Sequence, residues 1–368
     1  MDNEKENLKN KSNESILIIN YAMDSNDPIF SHQFEAVEEI SKYFRKVFVI
    51  TGKLQSRSTN ENITIYSTNW KENSNRKNIK NFLKIYFKIM NDNNPTNVFS
   101  HMTAVQSGLI CLHTWLKRKK HYLWYAHASN NIFLILNYLF LDGFVTSTKG
   151  SFPFRTKKLR IIGQAINSDV FSKTKEINYD LKNRKSLKLV HIGRFDKSKN
   201  IDLIISSALK SQTKNKKFEF TQIGEPSNFD NINYSKAISN KYKKEIKDNV
   251  IKINANINRK QVPFILSNYD IFIHAFEGSL DKSVVEATLL EMPVVTINKE
   301  YINEFGSWNK NINNIAGIKL DEELNFLLSL DEESIRKEIQ KRKKIAIERH
   351  SLDKWASKIS NLYQTNFS

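Results

Sequence analysis

The stretch from Leu187 to Lys210, LKLVHIGRFDKSKNIDLIISSALK, constrains the fold of this chain more than any other segment. An apolar strand is followed by a sharp turn at Gly193, by a cationic loop and by an amphipathic helix; the cations are Arg194, Lys197 and Lys199. Cations between a strand and a helix N-terminus favour an anion site, because the first helical turn adds unpaired N–H groups. The pattern predicts a phosphate or diphosphate at the edge of an open α/β sheet. A solvated lysine loop between two core elements is the alternative.

Strands alternate with helices along both halves of the chain. The predicted strands are 15–20, 46–51, 63–67, 97–100, 122–126, 143–146 and 159–162, and then 187–192, 218–223, 250–253, 270–275 and 294–297. The predicted helices are 31–43, 76–90 and 103–116, and then 201–209, 259–266, 283–290 and 332–349. This alternation predicts two parallel sheets covered by helices.

A polar segment after Phe171, SKTKEINYDLKNRKS, separates the two halves and is typical of a linker. We therefore expect a flexible N-terminus, a first Rossmann-like domain, a linker, a second Rossmann-like domain and a C-terminal segment. Their boundaries are 1–14, 15–171, 172–186, 187–345 and 346–368.

The charge of the chain is unevenly distributed. The net charge is +18, and residues 51–200 hold 26 Lys and Arg against eight Asp and Glu, so the whole imbalance lies there. An anionic partner is expected for this region, and nucleic acid, anionic lipid and nucleotide phosphates all qualify. No zinc-ligand spacing or aromatic RNA-binding motif supports specific nucleic-acid binding.

Composition indicates a cytoplasmic protein. The single cysteine, Cys111, excludes an internal disulfide and a multi-cysteine metal site. No apolar run reaches the roughly 18 residues that span a bilayer, and the N-terminus is unlike a signal or transit peptide.

The second informative segment, 270–297, reads DIFIHAFEGSLDKSVVEATLLEMPVVTI. A buried strand leads through a polar loop into a helix that carries Glu286. A carboxylate there can accept hydrogen bonds from sugar hydroxyls. An acidic residue that is favoured by the helix dipole is the alternative.

Together, GRFDKSKNID and EGSLDKSVVEATLLEMPVV resemble the C-terminal domain of GT-B glycosyltransferases, specifically glycosyltransferase family 4, the group 1 glycosyl transferases. The resemblance covers most of the chain. HYLWYAHASN resembles the N-domain strand that ends in a site histidine, and HSLDKWASKISNLY resembles the terminal helix that crosses back onto the N-domain. The implied fold is α/β with GT-B architecture, in which two Rossmann-like domains with parallel sheets face a central cleft. The resemblance implies that domain 15–171 binds the acceptor, that domain 187–345 binds the nucleotide sugar, and that the helix of 346–368 crosses back to the first domain.

The resemblance also implies an activity. A hexosyl- or related glycosyltransferase would move a sugar from a nucleoside-diphosphate sugar to a glycan or lipid-linked acceptor, with retention of configuration, without a metal or cofactor, in cell-surface polysaccharide synthesis. Two alternatives remain open: a GT-B-fold nucleotide-sugar epimerase and a basic nucleic-acid-binding protein.

The chain departs from the family pattern in the Glu-rich loop. Family members often have seven residues between two glutamates, whereas Glu277 and Glu286 have eight between them, and Asp281 and Lys282 occupy the loop. In addition, Glu291 and Met292 replace the usual small residue and glycine before the last strand.

A further departure lies near the first strand, where the family's Gly-Gly loop is absent. NYAMDSNDPIFSHQ stands in its place, and Ser31 is the expected helix cap.

The site residues follow from these motifs. No Asp-x-Asp triplet is present, so Arg194 and Lys199, both expected in an exposed loop, would stabilise the leaving diphosphate. His127 is expected at the reaction centre by resemblance, with packing as its alternative. The expected donor-binding residues are Gly193, Gly224, Glu277, Asp281, Lys282, Ser283 and Glu286.

The helix predicted at 76–90 carries an apolar stripe on one side and Lys77, Lys80, Lys84 and Lys88 on another. This pattern fits a helix that lies on an anionic membrane, and it fits equally a core-covering helix with a solvated lysine face. Lipid-linked acceptors in the family favour a peripheral position on the inner face of the membrane.

Overall fold

The structure is a computed structural model that describes residues 12–27, 30–71, 74–127, 129–172, 176–310 and 314–364. The chain divides into two compact units. The first consists of Met1–Asn167 together with Arg349–Ser368, and the second of Ser168–Glu348. Among the described residues, no helix combines the length and apolar character needed to cross a membrane.

The first unit is built on a seven-stranded parallel sheet with the order β3-β2-β1-β4-β5-β6-β7. The strands are β1 (Ser12–Met23), β2 (Phe44–Leu54), β3 (Ile63–Ser67), β4 (Asn97–His101), β5 (Lys120–Trp124), β6 (Gly143–Thr146) and β7 (Leu159–Ile161). The helices are α1 (Ser31–Ser41), α2 (Asn75–Asp92), α3 (Ala104–Leu116), α4 (Ile132–Phe140) and, from the end of the chain, α13 (Leu352–Gln364).

Strand β1 shows why the sheet is covered on both faces. Its run of four apolar residues, 16–19, is fully buried, and alternate side chains point to opposite faces. Ile16 and Ile18 pack with α1 and α13, while Leu17 and Ile19 pack with α2 and α3. The C-terminal helix α13 is part of this core, because its Trp355 is fully buried in the same hydrophobic cluster as Ile16 and Ile18.

One expectation about this unit is corrected, and one of the two alternatives for the helix predicted at 76–90 is supported. Helix α1 begins at Ser31, but the residue that caps it is Phe30, and no side chain caps the helix. Asp27 instead fixes the turn, since its Oδ1 accepts from the Phe30 N–H at 2.8 Å. The apolar stripe of α2 is packed against the sheet, with Phe82 and Tyr86 fully buried, so α2 is a core-covering helix with an exposed lysine face.

Helix α4 was not predicted. Its sequence, IFLILNYLF, lacks the polar face that gives a surface helix its periodic pattern. Asn131 nevertheless caps it in the usual way, with Oδ1 accepting from the Leu134 N–H at 3.0 Å.

The second unit contains a five-stranded parallel sheet with the order β10-β9-β8-β11-β12. The strands are β8 (Ser186–Ile192), β9 (Lys217–Ile223), β10 (Ile251–Asn254), β11 (Ile271–His274) and β12 (Val294–Thr296). The helices are α5 (Ile201–Lys210), α6 (Phe229–Lys241), α7 (Lys243–Lys247), α8 (Val262–Leu266), α9 (Lys282–Leu289), α10 (Lys299–Phe305), α11 (Leu320–Ser329) and α12 (Glu332–His350). Helices α6, α7, α10 and α11 were not predicted.

Part of the segment predicted as a linker packs into the second unit. Tyr179 and Leu181 are fully buried in its core, and the Tyr179 hydroxyl donates to the Glu291 carbonyl at 3.0 Å. Glu291 itself has a left-handed backbone, with φ of 62°, in the position where the family has a small residue or glycine. Its carboxylate is held by Lys343 at 2.6 Å, which offsets the strain.

Gly163 lies where the C-terminal segment contacts the rest of the first unit. Its φ is +96°, and a Cβ atom there would overlap the carbonyl oxygen of Arg349. Next to this contact, Ile166 and Leu352 join the two segments by backbone hydrogen bonds of 2.8 Å. We expect Gly163→Ala to lower the free energy of unfolding by about 2 kcal/mol or more in urea titration.

Gly317→Ala is the matched control, since no atom lies within 4 Å of the added Cβ and stability should stay close to wild type. If both variants are equally stable, the close approach at Gly163 is not required for folding.

Candidate functional site

The two motifs that stood out in the sequence meet at the centre of the second sheet. Strands β8 and β11 are neighbours there, and the chain runs outward from them in opposite directions, which makes a topological switch point. Their following loops, 193–200 and 275–281, therefore diverge from one edge and leave a crevice where ligands of open α/β sheets bind.

Two glycines bring the backbones together at this edge. Gly224 has φ of +133°, and a Cβ atom on it would overlap the carbonyl oxygen of Gly193. The Gly193 N–H donates to the Ile223 carbonyl at 3.0 Å, and the Gln222 amide donates to the Gly193 carbonyl at 2.8 Å. Only a residue without a side chain fits at Gly224, so the loop that follows β8 is held close to β9.

Lys199 is buried, which corrects the expectation that it lies in an exposed loop. Its side chain is 9% exposed, its ammonium group pairs with the Asp281 carboxylate, and it lies 4.1 Å from the centre of the Phe276 ring. The neighbouring Asn200 has a left-handed backbone, and its amide donates to the Ala275 carbonyl at 3.0 Å. Together these contacts join the loops that follow β8 and β11.

Arg194 is an accessible cation of the site. Its side chain is 56% exposed, and its nearest acid is Asp196, at 3.2 Å from Nη1. Asp196 is buried and already accepts from the backbone N–H and the hydroxyl of Ser227, at 3.0 Å and 2.9 Å. Much of the hydrogen-bonding capacity of the Arg194 guanidinium is therefore open to an anion.

Two buried histidines line the base of the crevice. Burial lowers the pKa of His191 to about 3, and burial also lowers the pKa of His274, so both rings are neutral near pH 7. His274 Nδ1 is 2.9 Å from the Thr296 hydroxyl, and its Nε2 is 3.4 Å from Asp281. Within the described residues, His191 Nε2 has no hydrogen-bond partner.

Asp281 stays ionised at the N-terminus of α9. Burial alone would raise the pKa of Asp281, but the Lys199 ammonium group and the His274 ring hold it well below its usual value. One carboxylate oxygen also accepts from the Lys282 N–H at 3.0 Å. Asp281 is thus both a helix cap and the counterion of Lys199.

Further polar groups lie in the first turns of α9. Glu286 is buried and forms an ion pair with Arg259 at 2.6 Å. The Ser283 hydroxyl is buried without a hydrogen-bond partner among the described residues. Glu277, by contrast, is exposed, and Phe276 packs under Lys199 beside it.

Sequence reasoning missed four contributors. They are Arg259, Phe276, His191 and Asn298, whose buried amide donates to the carbonyls of Phe276 and Gly278 at 2.8 Å and 3.2 Å. His191 was visible as the unusual polar residue of a buried strand. The others carry no local signal, because their partners are distant in sequence.

His127 belongs to the first unit, beyond the end of β5. It is exposed, and its ring lies 5.7 Å from that of Tyr125. It therefore stands at the carboxyl edge of the first sheet, while the other predicted site residues are in the second unit.

The switch point of the first sheet holds a cavity of about 250 Å³. It lies at the ends of β1 and β2 and is lined by Ile19, Asn20, Tyr21, Phe30, Ile50, Thr51, Gly52, Lys53, Thr68, Trp70, Phe82 and Gln106. The side-chain oxygens of Asn20 and Gln106, both more than nine-tenths buried, have no hydrogen-bond partner within the described residues. The cavity thus combines aromatic walls with two unused acceptors.

The second unit of the chain matches a known family. Residues 172–311 match the family described as glycosyl transferases group 1. No curated protein sequence matches the chain.

Solved structures match almost the whole chain. HepE of Anabaena in complex with UDP and glucose is 12% identical, with a TM-score of 0.71 over 96% of this chain and 100% of that one. A glycosyltransferase from Rickettsia africae is 16% identical, with a TM-score of 0.70 over 96% and 98%. A mutant of TarM from S. aureus, in complex with fondaparinux, α-GlcNAc-glycerol and UDP, is 12% identical, with a TM-score of 0.71 over 96% and 100%. The chain therefore has the GT-B fold of these glycosyltransferases, and its residues 172–311 are similar to the group 1 glycosyl transferase family.

Proposed function

We propose that the enzyme transfers a sugar from a nucleoside-diphosphate sugar, bound by the second unit, to a glycan or lipid-linked acceptor. The observation that carries this proposal is the set of polar groups at one sheet edge. They are the exposed guanidinium of Arg194, the buried ion pair of Arg259 with Glu286, and the buried His191 and Ser283 atoms that have no hydrogen-bond partner among the described residues. Buried polar atoms without partners are costly, so a polar ligand that satisfies them is the expected occupant.

The diphosphate would lie between Arg194 and the N-terminus of α9. Negative charge grows on the diphosphate as the bond to the sugar breaks, and a fixed guanidinium group can stabilise it through two hydrogen bonds. Gly193 and Gly224 leave room for the phosphates, and Lys282 and Ser283 contribute at the helix terminus. These cations would take the place of a metal ion, so we propose metal-independent transfer. We propose retention of configuration because the resemblance to glycosyltransferase family 4 implies it.

The remaining residues would hold the sugar and the ribose. Glu286, together with Arg259, would accept hydrogen bonds from ribose hydroxyls, and Glu277 would contact the donor sugar. Asp281 would position Lys199 rather than bind the ligand directly, since its carboxylate is already committed. His127, in the first unit, would act at the reaction centre.

The cavity of the first unit is the proposed acceptor site. Its aromatic walls suit the apolar face of a sugar ring, and Asn20 and Gln106 can accept from two hydroxyls. The saccharides bound to TarM support a glycan acceptor by analogy. A lipid-linked acceptor would place the enzyme on the cytoplasmic face of the membrane, in cell-surface polysaccharide synthesis.

A nucleotide-sugar epimerase with the same fold is the alternative. It differs from a glycosyltransferase because it releases no nucleoside diphosphate in response to an acceptor.

Arg194→Ala tests the donor site. We expect UDP to bind roughly 10- to 100-fold more weakly by calorimetry, because a charge-assisted hydrogen bond contributes about 1.5–3 kcal/mol. Lys197→Ala is the matched control, since this exposed cation is in the same loop. Binding should persist in excess EDTA.

Lys199→Ala serves as a contrasting variant, since it leaves Asp281 without its counterion and should also lower the thermal midpoint. Equal UDP affinity in wild type and Arg194→Ala would contradict the diphosphate assignment.

Gln106→Leu tests the acceptor site. The substitution removes the unused acceptor at similar volume, so stability should be unchanged or slightly higher. Methyl glycopyranosides that raise the thermal midpoint of the wild type should lose this effect in the variant, while UDP binding is retained.

Ser147→Ala is the control, because Ser147 is also buried without a hydroxyl partner but lies outside the cavity. Undiminished saccharide binding by Gln106→Leu would show that the cavity is not the acceptor site.

A further inference from the structure

Helix α4 exposes its most apolar side. Four large apolar residues, spaced i, i+3, i+4 and i+7, are between 36% and 65% exposed: Ile132, Ile135, Leu136 and Leu139. The opposite side, with Leu134 and Asn137, is the buried one. Such a stripe normally faces a core, so its exposure requires an explanation.

Helix α3 carries a second exposed stripe of the same kind. Leu112, Trp115 and Leu116 follow the spacing i, i+3 and i+4 and are between 50% and 62% exposed. Neither α3 nor α4 contains a single Asp, Glu, Lys or Arg. Charge-free helices with exposed apolar stripes are unusual on a protein surface.

The two helices lie side by side and run in the same direction. A Cβ atom on Gly108 would be 2.8 Å from the Phe133 ring, and the Cys111 thiol lies 3.9 Å from the Leu136 carbonyl. Further along, the rings of Trp115 and Phe140 are 5.8 Å apart. The seven residues of the two stripes therefore form one surface, which we call the α3–α4 face.

Cations border this face. Lys117 and Arg118 follow α3 directly and are exposed, and Lys158 donates to the Leu141 carbonyl at the end of α4. On the α2 side, Phe87 is exposed, contacts His113 at 5.2 Å between ring centres, and is followed by exposed Lys88. The chain has no Asp or Glu between residues 101 and 141.

We propose that the α3–α4 face docks on an anionic lipid bilayer. Apolar side chains would enter the acyl region while the bordering cations meet the lipid phosphates, a division of roles typical of interfacial helices. A second copy of the chain is disfavoured, because pairing two such faces would bring their cationic borders together. The anionic bilayer would then be the partner of the excess positive charge of residues 51–200.

This surface differs from the one that the sequence indicated. The lysines of α2 contribute charge, but the apolar stripe of α2 is in the core and cannot enter a bilayer. Docking also does not depend on the donor and acceptor sites proposed above, since none of their residues belongs to the face.

Vesicle co-sedimentation tests the proposal. The probes are vesicles of equal parts phosphatidylcholine and phosphatidylglycerol, with pure phosphatidylcholine for comparison. We expect the wild type to bind only the anionic vesicles and to be released between about 0.1 M and about 1 M NaCl, as the Debye length falls from about 10 Å to about 3 Å.

Two variants separate the apolar and the electrostatic contributions. The combined variant Leu116→Ser, Ile132→Ser and Leu139→Ser should require roughly tenfold more lipid or greater for half-binding. Lys117→Glu with Arg118→Glu should weaken binding by a similar factor and reduce its salt dependence.

The matched control is Phe229→Ser with Phe264→Ser, which removes two apolar residues that are more than 70% exposed on the other unit and should leave binding unchanged. Thermal midpoints and UDP affinity establish that each variant is folded.

Three results would overturn the proposal. They are failure of the wild type to bind anionic vesicles, wild-type binding by the serine variant, and a wild-type dimer that the serine variant converts to a monomer. The last would show that the face joins two copies of the chain.

Discussion

The buried ion pair between Lys199 and Asp281 is the contact on which the site depends. An ammonium group removed from water is costly unless a carboxylate and further dipoles compensate, and here Asp281 and the Phe276 ring do so. Since the two residues follow β8 and β11, the pair determines how far apart the loops at the switch point can be. It also pairs the Lys199 ammonium group with a carboxylate, whereas Arg194 is 56% exposed and accessible to an anion.

The same topology explains where both proposed sites occur. In each unit the first strand lies inside the sheet, third from one edge, and the order of strands reverses beside it. The crevice of the second unit and the cavity of the first lie at these reversals. Each contains buried polar atoms that have no hydrogen-bond partner among the described residues. The repeated architecture thus yields two candidate binding edges of different chemistry, one cationic and one aromatic with neutral acceptors.

The helices of the first unit differ in whether they turn charged or apolar side chains to the outside. Helix α2 covers the core and turns its lysines to solvent, whereas α3 and α4 turn apolar stripes outward and have cations only at their borders. Neither arrangement follows from composition, because an apolar stripe that packs on a sheet has the same sequence pattern as an apolar stripe that faces outward.

The sequence by itself determined the strands and many of the helices, and it indicated the sheet edge that is proposed to bind the donor. Gly193, the cations that follow it and the helix with Glu286 are local patterns. Such patterns can be recognised from neighbouring residues alone, without knowledge of the tertiary contacts. Tertiary structure alone decided that Lys199 is buried, that Arg259 meets Glu286, that Asn20 and Gln106 share a cavity, and which helices expose apolar stripes. Each of these depends on contacts between segments far apart along the chain. The hydrophobic periodicity of a segment does not indicate which other segment will cover it.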